Sequence, residues 1–220
     1  MEGRYVDGQY ASANPGWHAD DAAAKVKALA PLAGRLQPGH VVDVGAGTGD
    51  VLAGLRSACW PGARCEAWDL GPFPKTPDGV ARHVGDWLGE GGSCDVVLFI
   101  DVLEHLDDPD GALAVARARA PVALIRVPLE VSARDALRPH HVSLAREQWG
   151  HRVHLTARGW RSMFGAAGWR IRAETYDRPW RSPTNHWESV TEAARRAAGV
   201  WPAAGALVLG GWSWCALLER

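Results

Sequence analysis

The sequence predicts an α/β fold, a doubly wound and mostly parallel seven-stranded sheet with helices on both faces. Three observations carry this. Short apolar runs alternate along the chain with segments of helical spacing, as strands joined by helical crossovers do. The strongest strand candidates are continuously apolar, which marks strands covered on both faces. The first strand also runs into a glycine-rich turn and then a helix, where sheets of this kind bind ligands.

Residues 20–36, DDAAAKVKALAPLAGRL, have helical spacing, with Asp20 as N-cap and Pro31 as a break or kink. HVVDVG (40–45) is a short buried strand that ends in glycine. TGDVLAGLRSA (48–58) puts Val51, Leu52 and Leu55 on one helical face. ARCEAWDLG (63–71) gives a second strand ending on Asp69, and GVARHVGDW (79–87) a shorter third that stops before Asp86. CDVVLFIDVLEHL (94–106) is the clearest strand, apolar throughout Val96–Ile100. A helix over Pro109–Ala118 leads to PVALIRVP (121–128), the fifth strand. ARGWRSMFGAAG (157–168) is helical and stops at Gly168, WRIRAETY (169–176) alternates at period two, and SWCALLE (213–219) is the last strand. With no internal repeat or low-complexity linker, residues 1–220 read as one domain. Its parts are a helical cap (1–37), a ligand-binding core (38–177), and a C-terminal loop with the last strand (178–220).

Composition narrows the function. A chain of 220 residues with 47% apolar and 22% charged residues is that of a soluble protein with one core. A net charge of −1 offers no footprint for a nucleic-acid backbone. Basic residues are 21 Arg and 3 Lys, read as a GC-rich coding bias. The four cysteines form no C-x-x-C pair and follow no secretory signal, so free thiols in a reducing cytoplasm are expected. GVWPAAGALVLGGWSWCALL (199–218) is uncharged over a bilayer-spanning length, but Pro202, Gly205, Gly210 and Gly211 break it. A buried strand after a glycine turn is therefore predicted rather than a membrane anchor.

The glycine turn carries the functional reading. Gly45, Gly47 and Gly49 are spaced G-x-G-x-G, whereas the third glycine of a dinucleotide fingerprint would fall at Asp50. An anion beside a pyrophosphate is unfavourable, and Asp43 with Asp50 suits a cofactor that carries positive charge.

VDVGAGTG (42–49) resembles the first motif of the class I SAM-dependent methyltransferases, an acid followed by G-x-G-x-G. IDVLEHLDDP (100–109) resembles that family's fourth motif and the segment after it, and HRVHLTARGW (151–160) its later H-x-x-x-x-T stretch. YASANPGWHADDAAAK (10–25) resembles the N-terminal cap of a subset of bacterial small-molecule methyltransferases. The resemblance implies a Rossmann-like sheet with an antiparallel last strand, and S-adenosyl-L-methionine (SAM) as cofactor. It places the cofactor on Gly45, Ala46, Gly47 and Gly49, with its ribose hydroxyls on Asp69 beside Leu70. The adenine amino group falls to Asp86 with Trp87 flanking the ring, and the methionine end to Asp101 and Val102.

Methyl transfer from a sulfonium is an in-line displacement, so alignment and exclusion of water do most of the work. An oxygen nucleophile must also lose a proton, for which a histidine base is suited. His151, on the histidine of the H-x-x-x-x-T stretch, and His105, just past the fourth strand, are the candidate catalytic residues. His140, His141, His154 and Glu147 cluster nearby, but their spacing matches no standard site, so no metal is expected. His18 is a candidate for closing a lid; Trp149, Trp180 and Trp187, in loop-like sequence, are read first as core or interface. The expected function is methylation of a small-molecule hydroxyl, on a natural product or sugar, by a cytoplasmic enzyme with no nucleic-acid or membrane partner. A homodimer is left open. An NAD-dependent oxidoreductase and a catalytically silent SAM-binding regulatory protein are the alternatives.

Overall fold

Five consecutive buried apolar residues, Val96–Ile100, form the central strand of a seven-stranded sheet. The computed structural model describes residues 17–72, 76–137, 147, 150–178 and 186–220. The strands are β1 (His40–Val44), β2 (Arg64–Asp69), β3 (Val80–Val84), β4 (Val96–Ile100), β5 (Val122–Leu129), β6 (Arg170–Asp177) and β7 (Trp212–Glu219). They lie in the order β3-β2-β1-β4-β5-β7-β6. β1 to β5 pair in parallel, and β7 runs antiparallel to both β5 and β6. This is the predicted Rossmann-like architecture. The strand order reverses between β1 and β4, so the carboxyl ends of these two neighbours open a crevice at the switch point.

The helices are α1 (Trp17–Ala33), α2 (Asp50–Cys59), α3 (Trp87–Glu90), α4 (Pro109–Arg119), α5 (Ala133–Ala136), α6 (Ala157–Ala166), α7 (His186–Ala198) and α8 (Pro202–Leu209), with a 3-10 turn at Leu103–His105. Period-two alternation in β4 divides the core between two layers. Val97 and Phe99 pack with Leu113 of α4 and with Trp160 and Phe164 of α6. Val96, Leu98 and Ile100 pack with Leu29 and Leu32 of α1 and Leu52 and Leu55 of α2. Both faces of the sheet are thus covered, which is why its central strands read as continuous apolar runs.

Two expectations are corrected. α1 runs through Pro31 instead of breaking there. The proline is the third residue from the helix end, so its lost N–H bond and its clash with the preceding turn disturb only the last turn. Residues 178–220 are not a loop and a strand, because they include α7 and α8. Pro202 opens α8, a position that requires no hydrogen bond from its nitrogen, and Gly210 (φ 64°) ends it. The uncharged run 199–218 accordingly divides between α8 and β7, and no described helix is long and apolar enough to cross a membrane. The four cysteines are free thiols. His140, His141, Trp149 and Trp180 lie outside the described residues, as do the side chains of His18 and Trp187.

Candidate functional site

At the end of β1 the chain turns through Gly45 (φ 69°), Gly47 (φ 56°) and Gly49 (φ 81°), all left-handed. Close approach matters as much as the dihedral. A Cβ on Gly45 would lie 2.7 Å from Cγ2 of Val102, so the glycine loop and the segment after β4 share one tight seam. The amides of Gly45 and Ala46 both donate to the Trp68 carbonyl, at 2.8 and 3.0 Å. Asp69 completes the clamp: Oδ2 accepts from the Gly47 amide at 2.8 Å and Oδ1 from the Gly71 amide at 3.0 Å. A carboxylate has about four acceptor positions, so Asp69 keeps capacity for a diol. Leu70, next in the chain, is exposed.

Behind this loop lies Asp43, 2% exposed, whose Oδ1 has no hydrogen-bond partner among the described residues. Burial, reinforced by the charge of Asp69, pushes its carboxyl up to about 8, against the pull of Lys25. Such a group is costly unless something satisfies it, and a cationic ligand does so best. Asp50 has a local partner, since its Oδ2 accepts from Thr48 Oγ1 at 2.6 Å.

At the outer edge, Asp86 caps α3 by accepting from the Leu88 amide at 2.9 Å. Trp87 departs from the expectation that its ring flanks an adenine. It is 1% exposed, packed in the core, and covered by the guanidinium of Arg119 at 5.3 Å from the ring centroid. Arg119 also donates to the Trp87 carbonyl. An apolar ring in the first turn of α3 gains more from burial than from the crevice.

Asp101, at the end of β4, is the one non-glycine residue with positive φ (56°) among those described. Its carboxylate pairs with Lys25 Nζ at 2.9 Å and with Arg126, which also binds Asp177 at 2.9 Å. Burial works against ionisation here, but Arg126 and Lys25 outweigh it and hold Asp101 down at about 2. Lys25 further pairs with Asp21 at 3.1 Å. Sequence reasoning passed over Lys25; its signal was being one of 3 lysines in a chain of 21 arginines, on a helix otherwise rich in alanine.

A second cluster forms where three segments meet. β4 continues into the 3-10 turn bearing Glu104 and His105, β5 ends just before Glu130, and residues 150–154 lie across the turn. The amides of Arg152 and Val153 donate to the Glu104 carbonyl, at 2.7 and 3.1 Å, which docks His151 beside His105. Their rings meet edge to face with centroids 4.8 Å apart. Glu130 binds two histidines, with Oε1 2.6 Å from His151 Nδ1 and Oε2 2.8 Å from His154 Nδ1. Burial and the neighbouring His151 push His105 down to about 4, although it hydrogen-bonds the Gly150 carbonyl. Glu104 is 0% exposed, and neither of its carboxylate oxygens has a partner among the described residues. Burial and the charge of Asp101 drive it well above the usual carboxylate range. The structure thus brings together His105 and His151, the two histidines read from the sequence, and adds Glu104 and Glu130.

A family model described as a methyltransferase domain matches residues 17–174, more than half of the chain. No curated protein matches the sequence. Solved structures do. A chain of the Haloferax volcanii complex that contains the Trm112 methyltransferase activator aligns with TM-score 0.66 at 18% identity, over 92% of this chain and 91% of that one. The cyclopropane synthase MmaA2 from Mycobacterium tuberculosis aligns with TM-score 0.61 at 15% identity, over 90% and 84%. The magnesium protoporphyrin IX methyltransferase from Synechocystis PCC 6803, with bound S-adenosylhomocysteine (SAH), aligns with TM-score 0.56 at 14% identity, over 92% and 83%. At such identities the likeness is one of fold.

Proposed function

Because the chain belongs to the methyltransferase domain family, we propose that it uses SAM to methylate a hydroxyl of a small-molecule acceptor, a natural product or a sugar. One observation carries the choice of cofactor. The glycine loop is backed by Asp43, a buried carboxylate with an oxygen unpartnered among the described residues, which fits the α-ammonium of a methionine moiety. An NAD pyrophosphate at the same loop would face two acids, Asp43 and Asp50.

The residues divide the work. Gly45, Ala46, Gly47 and Gly49 let the ligand approach the backbone, Asp69 receives the ribose diol, and one oxygen of Asp86 is available at the adenine edge. Val102 closes the loop from the β4 side, and Lys25, now paired with Asp101, gives the methionine carboxylate a cation. SAM supplies an electrophilic methyl group on a sulfonium, transferred in line to the acceptor. Proton loss from the hydroxyl depends on His151, whose ring Glu130 fixes. His105, held down at about 4, is a poor proton acceptor.

Calorimetric titration with SAH and with NADH tests the cofactor assignment. Wild-type protein binds SAH and not NADH, and Asp69→Ala weakens SAH by about tenfold to a hundredfold through loss of charged hydrogen bonds. NADH binding without SAH binding reverses the assignment, and an unchanged SAH affinity in the variant removes Asp69 from the ribose site.

A further inference from the structure

We propose that Glu104, His105 and His151 bind a divalent cation that holds the acceptor by two neighbouring oxygens. This rests on the methyl-transfer reading and specifies how His151 promotes proton loss, as a cation ligand rather than as a free base.

The geometry is that of two imidazoles and one carboxylate. One donor atom from each residue lies within 4.8 Å of the other two. A cation with bonds of about 2.1 Å spaces neighbouring donors about 3.0–3.4 Å apart, so a pair near the 4.8 Å limit closes by about an ångström or more on binding. An independent observation points to a ligand here. Both oxygens of Glu104 lack a partner among the described residues although the side chain is fully buried. A carboxylate in that state calls for a cation. Glu130, bonded to His151 Nδ1, supplies the carboxylate that usually orients a ligating imidazole and raises its basicity. A backbone hydrogen bond to Gly150 orients the second ring, that of His105. The backbone bonds from Arg152 and Val153 to the Glu104 carbonyl fix the spacing between the turn and the His151 segment.

The donor set selects the ion. Two nitrogens and one oxygen favour a first-row transition ion such as Zn²⁺ or Fe²⁺, for which Mn²⁺ serves as a spectroscopic probe, over Mg²⁺ and Ca²⁺, which prefer oxygen. Three protein ligands leave positions for two oxygens of a catechol or a vicinal diol. Bound there, one hydroxyl has a lowered pKa and releases its proton to solvent. Its electron pair then forms the new O–CH₃ bond, while the pair of the breaking C–S bond stays with sulfur. The sequence expectation was no metal. This site departs from it because Glu104 and His105 are adjacent and His151 arrives from a distant segment, a spacing no local metal motif describes.

The test uses the full chain freed of metal by EDTA and titrated with Mn²⁺ alone, with free Mn²⁺ followed by EPR and SAH binding measured on the same samples. The expected result is one tightly held Mn²⁺ per wild-type chain, weakened by about tenfold or more in Glu104→Gln and in His105→Ala, with SAH binding kept in both variants as proof of folding. Wild-type protein that binds SAH but sequesters no Mn²⁺ overturns the cation site and leaves the methyltransferase reading in place. Equal Mn²⁺ binding by wild type and both variants also overturns it, since the ion then lies elsewhere. Mn²⁺ binding that depends on Glu104 and His105, without SAH binding, sustains the site and removes the cofactor reading instead.

Discussion

Replacing His151 by alanine lowers kcat by about a hundredfold to ten-thousandfold, the range over which groups that promote proton loss act, and leaves SAH affinity close to wild type. The separation follows from the architecture. His151 reaches its place through the bonds of Arg152 and Val153 to the Glu104 carbonyl and through Glu130, at the ends of β4 and β5. The glycine loop and Asp69 belong to β1 and β2, and they share no hydrogen bond with that cluster among those described. Glu130→Gln keeps the shape of the side chain but loses the charge that orients the ring, so its kcat falls less than that of His151→Ala. Stopped turnover with SAM and an accepted substrate, alongside SAH titration, checks both variants. A fall in SAH affinity equal to the fall in kcat would place His151 in the cofactor site and refute the division.

Asp43→Asn is expected to make the protein more stable and the cofactor site worse. The carboxyl sits at about 8 in the folded chain against an ordinary value of 3.8. Between those values the unfolded chain has released the proton and the folded chain retains it, so stability falls as pH rises through this window. Asparagine removes that dependence. At pH 7 the variant gains at most about 4 kcal/mol, and the gain disappears below about pH 4. Cofactor binding responds in the opposite direction. An ammonium docking beside Asp43 favours the ionised carboxylate, so wild-type SAH affinity rises with pH up to about 8. The variant loses that rise together with about tenfold of affinity at neutral pH. Thermal unfolding and SAH titration over pH 4–9 read both effects; a variant less stable than wild type at pH 7 contradicts the account.

What was legible in the sequence was local. The continuous run Val96–Ile100 shows in a few residues that both of its faces are covered, and the glycines at 45, 47 and 49 mark a turn whose left-handed backbone residues with side chains rarely adopt. Asp69 was legible as the acid that ends the second strand, which the family resemblance singles out; that it also clamps the loop was not. What was missed depends on distance or on direction. Nothing near Glu130 in the chain announces that it will hold His151 and His154, and nothing in α1 announces that Lys25 will reach Asp101. Trp87 follows Asp86 directly, yet adjacency does not fix which way a ring points, and the core took it. α8 was hidden by Pro202 and Gly210, which sit at the helix ends where these residues are tolerated, and which in the sequence look only like breaks in a bilayer-length uncharged run.

The central claim is that the carboxyl ends of β1, β2 and β4 grip an adenosine whose charged amino-acid end rests against the glycine loop. A crystal structure of the protein grown with SAH measures this most directly. The predicted density has the ribose diol on Asp69, the sulfur beside Gly45–Gly49 and the ammonium within hydrogen-bond reach of Asp43. Bound SAH found anywhere else, or a crevice filled by the protein's own side chains at saturating SAH, contradicts it.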